Sequence, residues 1–282
     1  MQGRTCMVTG SGSGIGKATA LGLAKMDASV VMVCRNRERG EASMNEIIRK
    51  SGNQKVSLMI ADLSSQNSIR KLVENFAARY GKLNVLVNNA GVFLAKRHLT
   101  EDGIEMTFAV NHLAPFLLTN LLLPTLKTNT LPRVVTVASS AHYGATIDFD
   151  NLQGERHYSG FRAYSQSKLA NILFTHELAR RLKETNVTAN CLHPGVVRTN
   201  LGKNNWWVFR LALFLFAPFI LSPEKGARTS VYLASSPVVE GVAGKYFAKQ
   251  KVAKSSNESN NEIMSKKLWE VSAELTHVSS AN

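Results

Sequence analysis

The sequence predicts an α/β fold in which helices cover both faces of a doubly wound parallel sheet. Short apolar runs alternate with amphipathic helical patterns, a glycine-rich turn follows the first run, and polar residues follow several later ones. Short apolar strands separated by helices indicate parallel βαβ units. An α/β chain of 282 residues commonly forms one unit, so we expect a single domain over residues 1–282.

The predicted strands are short and regularly spaced along the chain. They cover residues 5–9, 29–34, 56–61, 85–87, 133–138 and 188–192, with a further strand near residues 244–247. Amphipathic patterns between them predict the helices. Sheets of this doubly wound kind bind ligands beyond the carboxyl ends of their strands.

A glycine-rich turn, TGSGSGIG at residues 9–16, connects the first strand to a helix. Glycines permit positive φ angles and let the backbone approach a pyrophosphate, whose charge is stabilised by free N–H groups at the helix N-terminus. A turn of this kind also occurs in ordinary loops. Its context therefore decides whether it is a phosphate site.

A tyrosine and a lysine four residues apart, Tyr164 and Lys168, can face one point from the same helix. A nearby cation favours the phenolate over the phenol, whose pKa is ordinarily about 10, so we expect Lys168 to lower the pKa of Tyr164. The alternative is a surface tyrosine beside a solvated lysine. Two residues argue against it: Ser139 follows an apolar run, where open α/β sheets bind ligands, and Asn111 interrupts an apolar helical pattern.

Together these motifs resemble the short-chain dehydrogenase/reductase family over nearly the whole chain. The family's order is reproduced by the glycine turn, NNAG at residues 88–91, Asn111, Ser139, YxxxK at residues 164–168 and a Pro-Gly turn at residues 194–195. Within the family the chain is similar to retinol dehydrogenase-like members. The resemblance implies a Rossmann-type fold and hydride transfer between a nicotinamide cofactor and a carbonyl/alcohol pair.

The resemblance also assigns roles to residues. Tyr164 would transfer the proton, Ser139 would bind the substrate oxygen, Lys168 would also bind the nicotinamide ribose, and Asn111 would hold a relay water. Ser139 is chosen over the adjacent Ser140 by the family pattern. Cofactor contacts are expected at Gly10, Ser11, Ser13, Gly14, Ile15, Gly16, Arg35, Arg37, Asp62, Leu63, Asn89, Ala90, Gly91, Tyr164, Lys168, Pro194, Gly195, Val197 and Thr199.

The end of the second predicted strand favours NADP(H), with NAD(H) still possible. NAD sites usually place an acidic residue there, whereas an arginine accommodates the 2′-phosphate. This chain has Cys34 and then Arg35. Arg35 is the expected phosphate contact, because a guanidinium offers paired donors, and Arg37 is the second choice. Glu38 and Arg39 are expected to be solvated.

Charge and composition argue against other classes of protein. The net charge is +14, but the lysines are scattered and no basic recognition helix is present, so we expect no nucleic acid partner. The three cysteines lie in predicted strands without metal-ligand spacing, which indicates buried, reduced thiols and no metal. The histidines at positions 142, 157, 176 and 193 form no metal pair, and we expect them to be structural or exposed.

The first strand begins at Thr5, so we expect no signal peptide or anchoring helix and a cytoplasmic location. In this the chain departs from the animal retinol enzymes of the family. The alternative function is a catalytically silent NADP(H)-binding regulatory protein. Such members usually lose part of the catalytic set, whereas this chain retains all of it.

An apolar segment with two tryptophans, residues 206–221, follows the Pro-Gly turn. It is shorter than the ~20 residues of a spanning helix and contains Arg210 and Pro218. By the resemblance, residues 195–225 would form an apolar lid that favours a lipophilic aldehyde or alcohol such as retinal or retinol. The alternative is a core helix.

The expected C-terminal extension covers residues 250–282 and follows a lysine-rich stretch that begins at Lys245. Its first part, residues 252–261, predicts a mobile loop because it is rich in Ser, Asn and Lys. Residues 264–275 predict an amphipathic helix that would close over the substrate mouth. The tryptophans of residues 206–221 and the lysines at positions 245, 249, 251, 254, 266 and 267 leave peripheral contact with an anionic membrane open. A homo-oligomer is also compatible with the sequence.

Overall fold

A mostly parallel sheet forms the centre of the computed structural model, which describes residues 1–197 and 221–279. Within these residues the sheet has the strand order β3-β2-β1-β4-β5-β6-β7-β8. Only β8 is antiparallel to its neighbour. The strands are β1 Thr5–Thr9, β2 Ser29–Cys34, β3 Val56–Ile60, β4 Val85–Asn88, β5 Arg133–Val137, β6 Thr188–His193, β7 Tyr246–Ala248 and β8 Lys251–Val252.

Helices cover both faces of this sheet, which confirms the predicted fold class. One face packs against α1, α2 and α6, and the other against α3, α4, α5 and α7, each through its own apolar cluster. The helices are α1 Gly14–Ala24, α2 Arg37–Ser51, α3 Gln66–Arg79, α4 Met106–Lys127, α5 Gly160–Arg181, α6 Pro223–Ser235 and α7 Glu262–Thr276.

The strand boundaries agree closely with the predicted ones. Two strands match at both ends and most others differ by one residue, because buried apolar runs are clear in the sequence. The strand near residues 244–247 begins two residues later, at Tyr246, and the short β8 was not anticipated. The three cysteines are buried and free, as predicted.

The strand order creates a crevice between β1 and β4. From β1 the chain winds outward through β2 to β3 and then returns to β4 on the other side of β1. Ligands of open α/β sheets bind at such a switch point, beyond the carboxyl ends of the strands. The glycine turn after β1 and the NNAG motif after β4 therefore meet at this crevice.

Helix α4 is apolar and interrupted. It is the one helix among the described residues with the length and composition of a membrane span, yet 89% of its most apolar window is buried inside the fold. A core helix has the same composition, so the match is weak evidence for a membrane span. A π-helical turn, Ala109–Leu113, widens α4 around Asn111, and such turns frequently occur at functional sites.

Helix α7 completes the core against α4 and α5. Trp269 is buried, with its ring centroid 4.9 Å from that of Phe116 and 5.9 Å from that of Phe174. Gln66 and Arg70 of α3 donate hydrogen bonds to the last carbonyl groups of α7. The predicted helix is confirmed, but these contacts place its apolar face in the core and give no support to a position over a substrate mouth.

The prediction that residues 252–261 are a mobile loop is wrong. Val252 belongs to β8, residues 258–260 form a 3-10 turn, and Ser256 and Ser259 are buried. Side chains from distant parts of the chain bond to this segment. Composition alone does not show such partners, which is why the polar sequence was misleading.

Candidate active site

Ser139, Tyr164 and Lys168 meet beyond the carboxyl end of β5. Helix α5 presents Tyr164 and Lys168 one turn apart, and the Lys168 Nζ lies 5.5 Å from the centre of the Tyr164 ring. The Ser139 hydroxyl lies close enough to the Tyr164 hydroxyl to lower its pKa. The Lys168 Nζ donates to the carbonyl oxygen of Val137, the last residue of β5, at 3.2 Å. Two hydroxyls and an ammonium thus share one site.

Burial controls the pKa of both titrating groups. Burial raises the pKa of Tyr164 to about 12, and the hydrogen bond from Ser139 lowers it only in part. Burial also lowers the pKa of Lys168 to about 8. The net shift of the Tyr164 pKa is thus opposite to the one expected from Lys168, because desolvation of the phenolate outweighs the contacts that favour it.

Asn111 is fully buried and connects two elements of the site. Its Oδ1 accepts a hydrogen bond from Val92 N at 2.7 Å, and its Nδ2 donates to Val92 O and to Ser167 Oγ. Both side-chain donors are thus used on protein atoms. The side chain holds the segment after NNAG against α5, and its donors give no support to the expected relay water.

The glycine turn fits a pyrophosphate. Gly10 and Gly14 have φ angles of 64° and 57°, and a Cβ on Gly16 would lie 2.4 Å from Gly10 O. The N-cap residue Ser13 makes no side-chain capping bond, which leaves the first-turn N–H groups of α1 without a side-chain acceptor. Ser11 was also expected to contact the cofactor, but its side chain is buried and its hydroxyl donates a hydrogen bond to Val33 O.

The NNAG motif holds the glycine turn from the other side of the crevice. The Asn89 Nδ2 donates to Thr9 O at 2.8 Å, and Thr9 Oγ1 accepts from the backbone of Asn89 and Ala90. A Cβ on Gly91 would lie 3.5 Å from the Lys168 Nζ. The motif therefore connects the predicted phosphate site to the chemical groups.

The three arginines after β2 have different surroundings. The Nη1 of Arg35 is 3.8 Å from Asp62 Oδ2, and Arg37 pairs with Glu41. Arg39 is exposed, as expected for a solvated residue, but its aliphatic stem lies over the glycine turn, 3.7 Å from where a Cβ of Gly12 would be. Arg39 is therefore a further candidate near the cofactor that the sequence did not single out.

Asp62 and Leu63 follow β3 at the same edge of the sheet. Asp62 Oδ1 accepts hydrogen bonds from the backbone and the hydroxyl of Ser64, which fixes the turn. Leu63 packs against the apolar core. Asp62, one of the expected cofactor contacts, is thus a neighbour of Arg35, the expected phosphate contact.

The Pro-Gly turn after β6 lies beside the start of α1. Gly195 has a φ of 90°, and a Cβ on Gly226 would contact both Val197 and Ile15. Thr199 and residues 198–220 of the predicted lid lie outside the described residues. The last lid residues are described: Ser222 caps α6, which begins at Pro223.

Two histidines lie beside Ser139, and a separate cavity lies at the other end of β5 and β6. His142 and His193 bond to the backbone at Ser139 and Ser140, a contact that no spacing rule in the sequence indicates. A cavity of about 670 Å³ opens at the amino ends of β5 and β6, beside Arg133 and Thr188. It is at the opposite end of these strands from Ser139 and is not part of the candidate site.

Comparisons with known proteins agree with this geometry. The short chain dehydrogenase family model matches residues 4–206. The chain is 44% identical over 288 residues to human retinol dehydrogenase 14, covering 96% of this chain and 86% of that protein.

Two solved structures are also similar. An uncharacterized protein from Mycobacterium Paratuberculosis superposes with a TM-score of 0.80 at 34% identity, over 98% of this chain and 94% of that one. A short chain dehydrogenase from Burkholderia cenocepacia J2315 in complex with NADP superposes with a TM-score of 0.71 at 27% identity, over 87% and 96% of the two chains. The chain therefore belongs to the short-chain dehydrogenase family, oxidoreductases that act on alcohol and carbonyl groups with a nicotinamide cofactor.

Proposed function

We propose that this protein is an NADP(H)-dependent oxidoreductase that transfers hydride between the cofactor and a lipophilic carbonyl/alcohol pair, with retinal and retinol as representative substrates. The observation that carries the proposal is the meeting of Ser139, Tyr164 and Lys168 beside the crevice. The nicotinamide, when bound, supplies or accepts the hydride. The protein must then position the substrate oxygen and move one proton.

In reduction, Tyr164 donates a proton to the carbonyl oxygen. Because burial holds the pKa of Tyr164 at about 12, the phenol keeps its proton at neutral pH and is ready to donate it. Ser139 Oγ accepts a hydrogen bond from Ala141 N, so its own O–H, which points to Tyr164 without substrate, can turn to the substrate oxygen when one is bound. In oxidation Tyr164 would act as the base and would take the proton from the alcohol.

Lys168 and Asn111 have supporting roles in this mechanism. Near pH 7 most Lys168 side chains carry a proton, since the pKa is about 8, and the ammonium lies beside NNAG, where it would bind the nicotinamide ribose. Asn111 holds Val92 against α5. It thereby fixes the position of the segment after NNAG relative to α5.

The preference for NADP(H) is supported by the edge of the sheet after β2. No acidic residue follows β2 directly, and Arg35 extends from this edge with Arg39 over the glycine turn. A similar structure was solved with NADP. We assign the 2′-phosphate contact to Arg35, as the sequence predicted, with Arg37 and Arg39 as the alternatives to be tested.

A lipophilic substrate is supported by two observations. The Phe93 ring meets the Tyr164 ring edge-on, with centroids 5.7 Å apart, so an apolar side chain lies beside the proposed proton donor. The similar human protein is a retinol dehydrogenase by name.

We further propose a cytoplasmic protein with peripheral contact to anionic membranes, consistent with its net charge of +14. Co-sedimentation with anionic vesicles tests this contact.

A substrate panel tests the proposed function. The purified protein is assayed with NADPH and separately with NADH on all-trans-retinal, a long aliphatic aldehyde, a steroid ketone and a small aldehyde. We expect turnover with NADPH to exceed that with NADH, and the long apolar carbonyls to have the higher kcat/KM.

Two results would contradict the proposal. A preference for the small aldehyde would oppose the lipophilic substrate class. Tight NADPH binding without turnover of any carbonyl or alcohol would favour the alternative of a silent cofactor-binding protein.

A further inference from the structure

Two histidines hold one peptide unit next to Ser139. The carbonyl oxygen of Ser139 and the N–H of Ser140 belong to the same peptide plane. The Nδ1 of His142 lies 2.6 Å from Ser139 O, and Ser140 N donates to the Nδ1 of His193 at 3.1 Å. Imidazoles thus bond to both polar atoms of this plane.

The partners of His142 define its tautomer. A carbonyl oxygen only accepts, so Nδ1 carries the proton and donates it to Ser139 O. The backbone N–H of Ser256 lies 3.1 Å from Nε2, so Nε2 accepts. The neutral ring satisfies both contacts at once, and burial lowers the pKa of His142, which keeps the ring neutral. The side chain is fully buried.

The position of the Ser139 hydroxyl depends on this peptide plane. Ser139 is the N-cap of the 3-10 turn Ser140–His142, and its Oγ accepts from Ala141 N at 3.2 Å. Rotation of the Ser139–Ser140 peptide would move this turn and break the capping bond. The direction of the hydroxyl towards Tyr164 would change with it.

The partner of Nε2 belongs to the C-terminal extension. The same segment accepts a hydrogen bond from the Tyr143 hydroxyl at Lys254 O, and Ser259 O accepts from His176 Nδ1 at 2.9 Å. His176 lies on α5, the helix that carries Tyr164. Residues 254–259 thus brace both the Ser139 turn and the catalytic helix.

We infer that His142 is a positioning residue that orients the Ser139 hydroxyl by holding the Ser139–Ser140 peptide and tying it to Ser256. The inference rests on Ser139 acting as in the proposed function. His142 touches neither substrate nor cofactor in this role. It acts through the serine, so its loss should reduce kcat while NADPH affinity is unchanged.

Paired substitutions separate the two bonds of the ring. An asparagine amide ends near the position of Nδ1, so His142→Asn can still donate to Ser139 O but loses Ser256. A glutamine reaches to the position of Nε2, so His142→Gln can still accept from Ser256 N but loses Ser139 O. Both variants lose the packing of the ring on Tyr246, so we expect similar losses of stability in the two. Tyr143→Phe removes the other tether to the segment without touching Ser139.

The expected result is a difference in kcat between the paired variants. His142→Gln should lose about 10- to 100-fold in kcat, the scale of a catalytic group displaced by about an ångström, and His142→Asn should recover most of that loss. Tyr143→Phe should have wild-type kcat, and all three should bind NADPH with wild-type affinity. Equal kcat losses in both His142 variants, or losses that follow their melting temperatures, would overturn the inference.

Hydrogen exchange of the Ala141 amide gives a readout that is independent of turnover. This amide donates to Ser139 Oγ, so it should exchange faster in His142→Gln than in His142→Asn. Equal rates would overturn the inference even if no substrate were found. Absence of turnover by the wild type would instead count against the proposed function.

Discussion

Two regions at the carboxyl edge of the sheet hold their polar groups in opposite ways. After β2, the Arg35 side chain is 73% exposed and its nearest acidic atom is 3.8 Å away. Beyond the end of β5, Lys168 of α5 is 4% exposed, and its Nζ donates a hydrogen bond to the carbonyl oxygen of Val137 in that strand. A cation that recognises a phosphate can stay solvated until its ligand arrives, whereas groups that transfer a proton need fixed distances and a dry environment.

The glycine turn belongs to the first region, but its expected contacts to the cofactor come from backbone atoms and not from exposed side chains. There the spacing between Gly16, Gly10 and Asn89 leaves no room for a side chain. The backbone shape is therefore tightly defined at the proposed pyrophosphate site, whereas the arginine charges beside it are solvated. Substitutions in the two regions should consequently change different kinetic constants.

The largest expected effect is in the catalytic region. Tyr164→Phe retains the ring that packs on Phe93 but removes the proton donor, so kcat should fall by about 10²–10⁴-fold with NADPH affinity unchanged. The measurement is steady-state turnover together with NADPH fluorescence titration. Tyr232→Phe, in the core on the other face of the sheet, is the control. Retention of more than about a tenth of wild-type activity would exclude the assigned role.

The next largest effect is expected at the glycine turn. A methyl group at Gly16 would lie 2.4 Å from Gly10 O and Asn89 Nδ2, and overpacking of this kind costs about 1–3 kcal/mol. Gly16→Ala should weaken NADPH and NADH binding alike, by about 10- to 100-fold. Gly81→Ala, where a Cβ would meet nothing within 4 Å, is the control. An effect confined to NADPH would mean that the turn does not hold the shared pyrophosphate.

A smaller and selective effect is expected at Arg35. Arg35→Ala should raise the KM for NADPH by about tenfold, the low end for a charge-assisted contact, and leave the KM for NADH nearly unchanged. Arg37→Ala and Arg39→Ala are compared in the same assay. If Arg39→Ala alone shows the selective loss, the phosphate contact belongs to the residue over Gly12. Equal losses for both cofactors would remove Arg35 from the specificity site.

The smallest expected effect is on stability. Lys168 has a pKa of about 8 in the fold against 10.5 for the free side chain. Between these values the unfolded chain binds one proton more than the native state, so stability rises with pH. The free energy of unfolding of the wild type relative to Lys168→Met should therefore increase by about 1 kcal/mol from about pH 7 to about pH 9. Urea titrations measure it, and parallel curves for the two proteins would contradict the buried ammonium.

The fold was largely predictable because its signals are local. Apolar runs such as residues 29–34 report burial directly, and the glycine turn needs no distant partner to be recognised. The order of the catalytic residues predicted the meeting of Ser139, Tyr164 and Lys168.

Properties that depend on distant contacts could not be predicted. The sign of the pKa shift at Tyr164 follows from burial, which a one-turn spacing does not report. Asn111 bonds to Ser167, 56 residues away, and His142 bonds to Ser256, 114 residues away. Residues 252–261 are held in a defined conformation by hydrogen bonds to side chains that are distant in sequence. A polar composition was therefore compatible with a well-defined segment.

The packing of α7 has a consequence for the order in which the protein can fold during synthesis. Trp269 belongs to the same apolar cluster as Phe76, Phe116 and Phe174 and packs on α4 and α5. The apolar surface of these helices that it covers therefore stays open to water until residues 262–276 leave the ribosome. At about 5–20 residues per second, the earlier helices wait several seconds with that surface uncovered. Chaperone demand on the nascent chain should therefore end only when α7 docks, and a premature stop codon before Glu262 would release an aggregation-prone chain.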